Sequence, residues 1–351
     1  MSSCIFLFPN ALLSEEERTQ LGNAAVPGPL RDMCQGFSEP TCFSVFGTEA
    51  LRGTATDQWI WMNIAKKEDL IPYAPLLWEG FGGQRIAKEF WQVSPYYLDA
   101  KGYIEEAAEA FDLDEECYLR DLLAPLARKY KLEVQVLDGR FFFARKTAWK
   151  IEVCPWKAQL HQKPQPVFGE DKSEFEAINN EIKNLLQGSE LNQYRKENNR
   201  QEVQSLWISG GGFDTAIKDV SFTRVVQTNS VLVKGICKAC GIANNFVTAE
   251  GAPWPAECPE GDRLSICTDF MDPAVKKDKR KWIDAWEKIR KQVENHLATA
   301  KGLENLELFN PVFVATDGLR VSTITKSLKK SFFPMFGKKQ DFSEQWICPK
   351  D

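Results

Sequence analysis

Histidine is nearly missing from this chain: among 351 residues only His161 and His296 carry an imidazole. Two such distant residues cannot write HExxH or any other motif that gathers several imidazoles around a metal. Positive charge is also scarce. Lysine and arginine number 44 against 49 acidic residues, leaving a net charge of -5. A surface of that sign does not suit general binding to nucleic acid or to an anionic membrane. Long apolar runs are lacking too, and nothing approaches the roughly 20 residues that span a bilayer. The first residues, MSSCIFLFPN, have no basic leader and too short an apolar run for a signal peptide, so they read as a strand ending at Pro9. No GxSxG elbow occurs. Gly210-Gly211-Gly212 is followed by Phe213-Asp214 rather than Lys-Ser/Thr, which excludes a phosphate loop.

What remains is a soluble globular composition, 43% hydrophobic and 26% charged, long enough for one large domain or two ordinary ones. The ten cysteines follow no frame, so reduced and mostly buried thiols in the cytoplasm are expected. Cys237-Lys-Ala-Cys240 falls late in an apparent helix, where the dipole does not favour a thiolate. Adding Cys258 and Cys267 gives a spacing too wide for an ordinary zinc site.

Along the chain, Ser14 followed by Glu15-Glu16-Glu17 marks a helix start. Phe90 to Leu98 reads as an extended segment interrupted by Pro95. Asp112 opens a helix to about Tyr130, with Leu119, Leu122, Leu123 and Leu126 on one face. Asp138-Gly139 joins strands Leu132–Leu137 and Arg140–Arg145 as a hairpin. The Pro-, Gln- and Lys-rich run 156–170 is the expected linker, and a helix from Asp171 to Gln187 follows. The carboxyl half alternates. Ser205–Ser209, Thr223–Thr228, Arg263–Thr268 and Asn310–Ala315 read as strands, with helices at Ser230–Cys240 and from Pro273 to about Lys301. Such alternation implies a mostly parallel sheet covered on both faces.

Three glycines at a strand's carboxyl end admit two readings, a packed turn or close backbone approach to a ligand. Asn192, Arg195 and Arg200, on a polar segment expected to be irregular, are either anion-gripping groups or a solvated loop. Asp269, Asp272, Asp317 and Thr316 close predicted strands; they are metal or acid-base candidates, or turn formers. The tail from Lys326 to Lys339 is basic and aromatic, suiting a partner or a solvated end.

The segment Asn192-x-x-Arg195 … Ser205-Leu206-Trp207-x-x-Gly210-Gly211-Gly212 resembles a bacterial family loosely labelled phosphoglycerate mutase-like. Trp91-x-x-x-Pro95-x-x-Leu98 and the hairpin near Gly139 also look like that family's amino half. More remotely, the chain is similar to the archaeal type of cofactor-independent phosphoglycerate mutase, which implies an alkaline-phosphatase-like α/β core. The resemblance has gaps. Ser209 stands where those enzymes have arginine, no nucleophilic Ser/Thr-Pro is found, and two histidines do not rebuild a two-metal centre.

The expectation is an α/β protein with a mostly parallel sheet and a smaller α+β amino-terminal lobe. Its boundaries are 1–155 for the lobe, with its first strand free to join the main sheet, 156–170 for the linker, 171–325 for the core and 326–351 for the tail. The resemblance implies a degenerate mutase-like protein, leaning away from enzyme. It would bind a small anionic ligand or a protein partner at the glycine edge through Asn192, Arg195, Trp207, Ser209, Gly210, Gly211, Gly212 and Asp317. No cofactor is expected. The alternatives are a Mg-dependent phosphotransferase or phosphatase using Asp269, Asp272 and Asp317, and a structural or regulatory interaction protein.

Overall fold

The computed structural model describes residues 3–44, 53–84, 88–213, 217, 223–255, 260–271, 278–302, 310–326 and 341–349. Its strands are β1 (Ser3–Phe8), β2 (Thr41–Ser44), β3 (Glu89–Leu98), β4 (Ile104–Glu106), β5 (Glu133–Leu137), β6 (Arg140–Arg145), β7 (Ile151–Glu152), β8 (Phe168–Gly169), β9 (Ser205–Phe213), β10 (Thr223–Gln227), β11 (Val247–Thr248), β12 (Asp262–Ile266), β13 (Asn310–Thr316) and β14 (Arg320–Thr325). The helices up to residue 239 are α1 (Glu15–Leu21), α2 (Gly28–Met33), α3 (Ala55–Ile60), α4 (Tyr73–Gly80), α5 (Leu113–Tyr130), α6 (Trp156–Gln159), α7 (Lys172–Leu186), α8 (Glu190–Glu197) and α9 (Val231–Ala239). Two more span Lys279–Gly302 and Ser343–Ile347.

The central sheet has seven strands in the order β11-β10-β12-β1-β13-β14-β2. From β11 to β13 the pairs are parallel, and β14 and β2 add antiparallel strands at one edge. Its strands are apolar on both sides because both sides are covered. On β1, Cys4, Phe6 and Phe8 enter one core with the long helix, while Leu7 enters another with α4 and α9. The parallel direction brings the carboxyl ends of β1, β10, β12 and β13 to one edge.

A second sheet, β4-β3-β6-β5 with β9 on the other flank of β3, is antiparallel and backed by α5 and α7. The Asp138-Gly139 hairpin is as expected, with φ of 52° and 69° at its two turn residues. Helices α5 and α7 match their apolar stripes, and Ser14 closes a capping box on α1.

The strand of the glycines is the main correction. β9 does not join the parallel sheet; it pairs antiparallel with β3, from Tyr96↔Ser205 to Glu89↔Phe213. A short apolar run that is buried on both faces carries no periodicity to say which sheet it joins. The sheets also divide the chain differently from the expected boundaries. The second layer runs from 88 to 213 and contains the run 156–170, where Trp156 of α6 is buried. Glu89 and Phe213 are cross-strand partners, so this layer enters and leaves at adjoining points. Asn192 and Arg195 lie on helix α8, not on an irregular segment.

Helix α4 sits between the layers, packed on α9 of the first and on β3 and β9 of the second. The contact with α9 needs glycine on both helices. A Cβ at Gly80 would stand 2.1 Å from the Val231 carbonyl oxygen, and one at Gly235 would stand 1.8 Å from that of Leu76. No helix among the described residues is long and apolar enough to cross a membrane.

Candidate ligand cleft

The glycine run makes the corresponding approach from the other side. A Cβ at Gly210 (φ +66°) would lie 2.6 Å from Tyr73 Cβ, one at Gly211 2.2 Å from the Trp91 ring, and one at Gly212 2.6 Å from Pro72 Cβ. The space beside the three positions is therefore filled by the protein's own atoms, and the glycines lie within strand β9 rather than in a turn.

The other predicted residues are mostly engaged internally. Asn192 donates from Nδ2 to the carbonyls of Leu186 and Val203, both at 2.9 Å, and accepts from Val203 N at 2.8 Å. Arg195, 2% exposed, donates to Glu115 Oε1 at 2.6 Å and to the carbonyls of Gln201 and Ala107 at 2.6 and 2.7 Å. Arg200 pairs with Asp112 at 2.5 Å and Glu115 at 3.0 Å. Trp207 donates its indole N–H to Cys154 O at 2.8 Å. Ser209 is fully buried, and its hydroxyl has no hydrogen-bond partner among the described residues. Sequence reasoning read polarity as availability, yet a buried polar group with a complete partner set is structural.

Asp317 and Asp269 at the sheet edge also have partners within the chain. Asp317 accepts from Leu319 N (2.8 Å), Arg320 N (2.6 Å) and Arg320 Nε (2.8 Å), which makes it a turn former. Asp269 pairs with Lys288. Asp272 and most of the Lys326–Lys339 tail lie outside the described residues. Among the described residues no group of three or more His, Cys, Asp or Glu can hold a metal ion. The described residues alone therefore do not assemble the two-metal centre that the resemblance would imply. His296 is buried between Phe6 and Trp254, and burial lowers its pKa; His161 pairs with Glu105 at 3.0 Å. Cys240 is pushed up to about 11 and Cys237 further, both mainly by burial, so neither is an activated thiol.

The open space lies on the other flank of α4. A cleft of about 570 Å³ separates the second sheet from the carboxyl ends of β10 and β12. That is an ordinary size for a small-molecule site and the usual place for one in an open α/β sheet. Its floor is α4, through Tyr73, Leu77 and the following Phe81. One wall carries Asn229, Ser230 and Thr268. Ser230 caps α9, and Glu250 knits this wall together by accepting from Thr268 N and Oγ1 at 2.8 and 2.5 Å. Burial raises Glu250 above the ordinary carboxylate range, with the Thr268 bonds opposing.

The facing wall is built by the second sheet. Gln92 and Ser94 of β3 line it, joined by a 3.0 Å hydrogen bond. Arg140, just past the hairpin turn, stacks 4.4 Å over the Phe81 ring and pairs with Glu109 at 2.8 Å and Asp138 at 3.0 Å. Glu106 accepts from Trp156 Nε1 at 3.3 Å. The residue is open to solvent at the mouth, yet partial desolvation of its carboxyl raises its pKa, opposed by Trp156, Arg140 and Lys157. None of the site residues named from the sequence lines this cleft, because its walls come from segments far apart in the chain.

No family model and no curated protein matches this chain. Among solved structures it is similar to the PH0037 protein from Pyrococcus horikoshii, with a TM-score of 0.55 at 12% identity over 98% of this chain and 92% of that one. The two share a fold. A cofactor-independent phosphoglycerate mutase from Thermoplasma acidophilum aligns over 99% of this chain and 98% of that one, at 13% identity and a TM-score of 0.41.

Proposed function

We propose that this chain is a binding protein on a degenerate phosphoglycerate-mutase-like scaffold, and that it seats a small charged organic ligand in the cleft beside α4. The observation that carries this reading is the contrast in occupancy. The glycine edge is packed shut, while the cleft is open at the carboxyl edge of the parallel sheet with polar groups on both walls. Lys157, exposed at the rim with no ion pair among the described residues, supplies the positive charge that an anionic group needs.

A melting-point screen of the full chain against small organic carboxylates, amino acids and phosphoesters tests it, since a ligand of the native state raises the melting point. Ala108→Trp and, from the opposite wall, Asn229→Trp fill the cleft, so both are expected to abolish any shift while melting like the parent. Ligands that shift both variants as they shift the parent would overturn the reading. So would Mg²⁺-dependent phosphoester turnover that Asp317→Asn removes.

A further inference from the structure

The charges of the cleft sort into a spent pair and an unspent pair. Arg140 and Glu109 neutralise each other at 2.8 Å. Glu106 and Lys157 hold no ion pair among the described residues. The Glu106 carboxyl takes one hydrogen bond, from the Trp156 indole, which leaves its other oxygen open. Lys157 is the residue after Trp156, so an anion and a cation, neither in a close ion pair, flank the same indole. Around them the cleft is lined by the rings of Tyr73, Phe81, Phe111, Phe141 and Phe142.

An alkylammonium is attracted both to a carboxylate and to aromatic faces, and a carboxylate is attracted to an ammonium. A ligand with a single charge would engage only one of the two groups, whereas a ligand carrying both charges engages both. Resting on the cleft reading above, we propose that the ligand is a small zwitterion, an amino acid with an aromatic or large aliphatic side chain. Its ammonium sits on Glu106, its carboxylate on Lys157 and its side chain against the rings.

Calorimetry on the full chain with three probes decides the matter: phenylalanine, 2-phenylethylamine, which lacks the carboxylate, and 3-phenylpropionate, which lacks the amine. Phenylalanine is expected to bind at least about tenfold more tightly than either. Glu106→Gln should weaken phenylalanine and phenylethylamine by about tenfold and spare phenylpropionate, and Lys157→Met should weaken phenylalanine and phenylpropionate by about tenfold and spare phenylethylamine. Both residues are exposed, so the variants are expected to melt like the parent. Phenylpropionate binding as well as phenylalanine, or phenylalanine indifferent to both variants, overturns the inference. If none of the probes binds while other ligands lose their effect in Ala108→Trp, the zwitterion falls and the cleft stands. If Ala108→Trp still binds phenylalanine like the parent, the cleft reading itself falls.

Discussion

Helix α4 has two flanks, and they are opposites. Against α9 it is pressed so closely that only glycine fits at 80 and 235, and against β9 only glycine fits at 210 and 212. On the cleft side it faces open space lined by Tyr73, Leu77 and Phe81. Glycine permits close approach of backbone to anything, and here what approaches is another part of the same chain. The residues that advertised a binding edge serve the joint between the layers, while the open side is made of residues with no motif at all.

The contrast can be broken most severely at the joint. Gly235→Val would drive a side chain into the Leu76 carbonyl, and Gly210→Val into the Tyr73 Cβ, each costing roughly 3 kcal/mol or more. Denaturant unfolding, or loss of soluble protein, would read this; near-parental stability would show that α4 is not held as described. Arg195→Ala comes next. It strands the buried Glu115 carboxylate, with Arg200 still in reach, for an expected loss of about 3 kcal/mol. Adding Glu115→Ala should recover part of that loss, a coupling a double-mutant cycle measures. On the open flank, Ala108→Trp should change stability by less than about 1 kcal/mol and affect only ligand response.

The smallest effect is a pH slope. Burial raises the Glu89 carboxyl above its ordinary value, opposed by Trp91, by Trp149 N at 2.9 Å and by the nearby Arg145. The folded state then holds this proton more tightly than the unfolded chain. Its contribution is most favourable below the ordinary glutamate pKa and is lost as pH rises through the raised one. Glu89→Gln should therefore flatten the decline in stability from mildly acidic to neutral pH, measured by urea unfolding. An unchanged slope would remove Glu89 from the account.

The local chemistry was legible in the sequence. Asp138-Gly139 specifies its turn through two left-handed residues, and α5 and α7 announce themselves because only one face of each is apolar. The alternation of strands and helices also gave a mostly parallel central sheet. The partner of β9 was not legible, since Leu206 and Ile208 face one core while the glycines meet α4, and two-sided burial erases the period. Helix α8 was misread for the converse reason. Its buried face carries Asn192 and Arg195 beside Leu191, so its apolar stripe is incomplete. The cleft eluded sequence reasoning because its two walls are built from short runs scattered between Tyr73 and Met271, and no short window spans both walls.

The adjoining ends of the 88–213 layer carry one more consequence. A unit whose first and last strands are hydrogen-bonded neighbours, Glu89 beside Phe213, is spliced into its host through a single doorway. Such a cassette can be exchanged without redrawing the host's topology. Since it brings one whole wall of the cavity, including Glu106, Arg140 and Lys157, such an exchange would rebuild that wall and leave the host's wall in place.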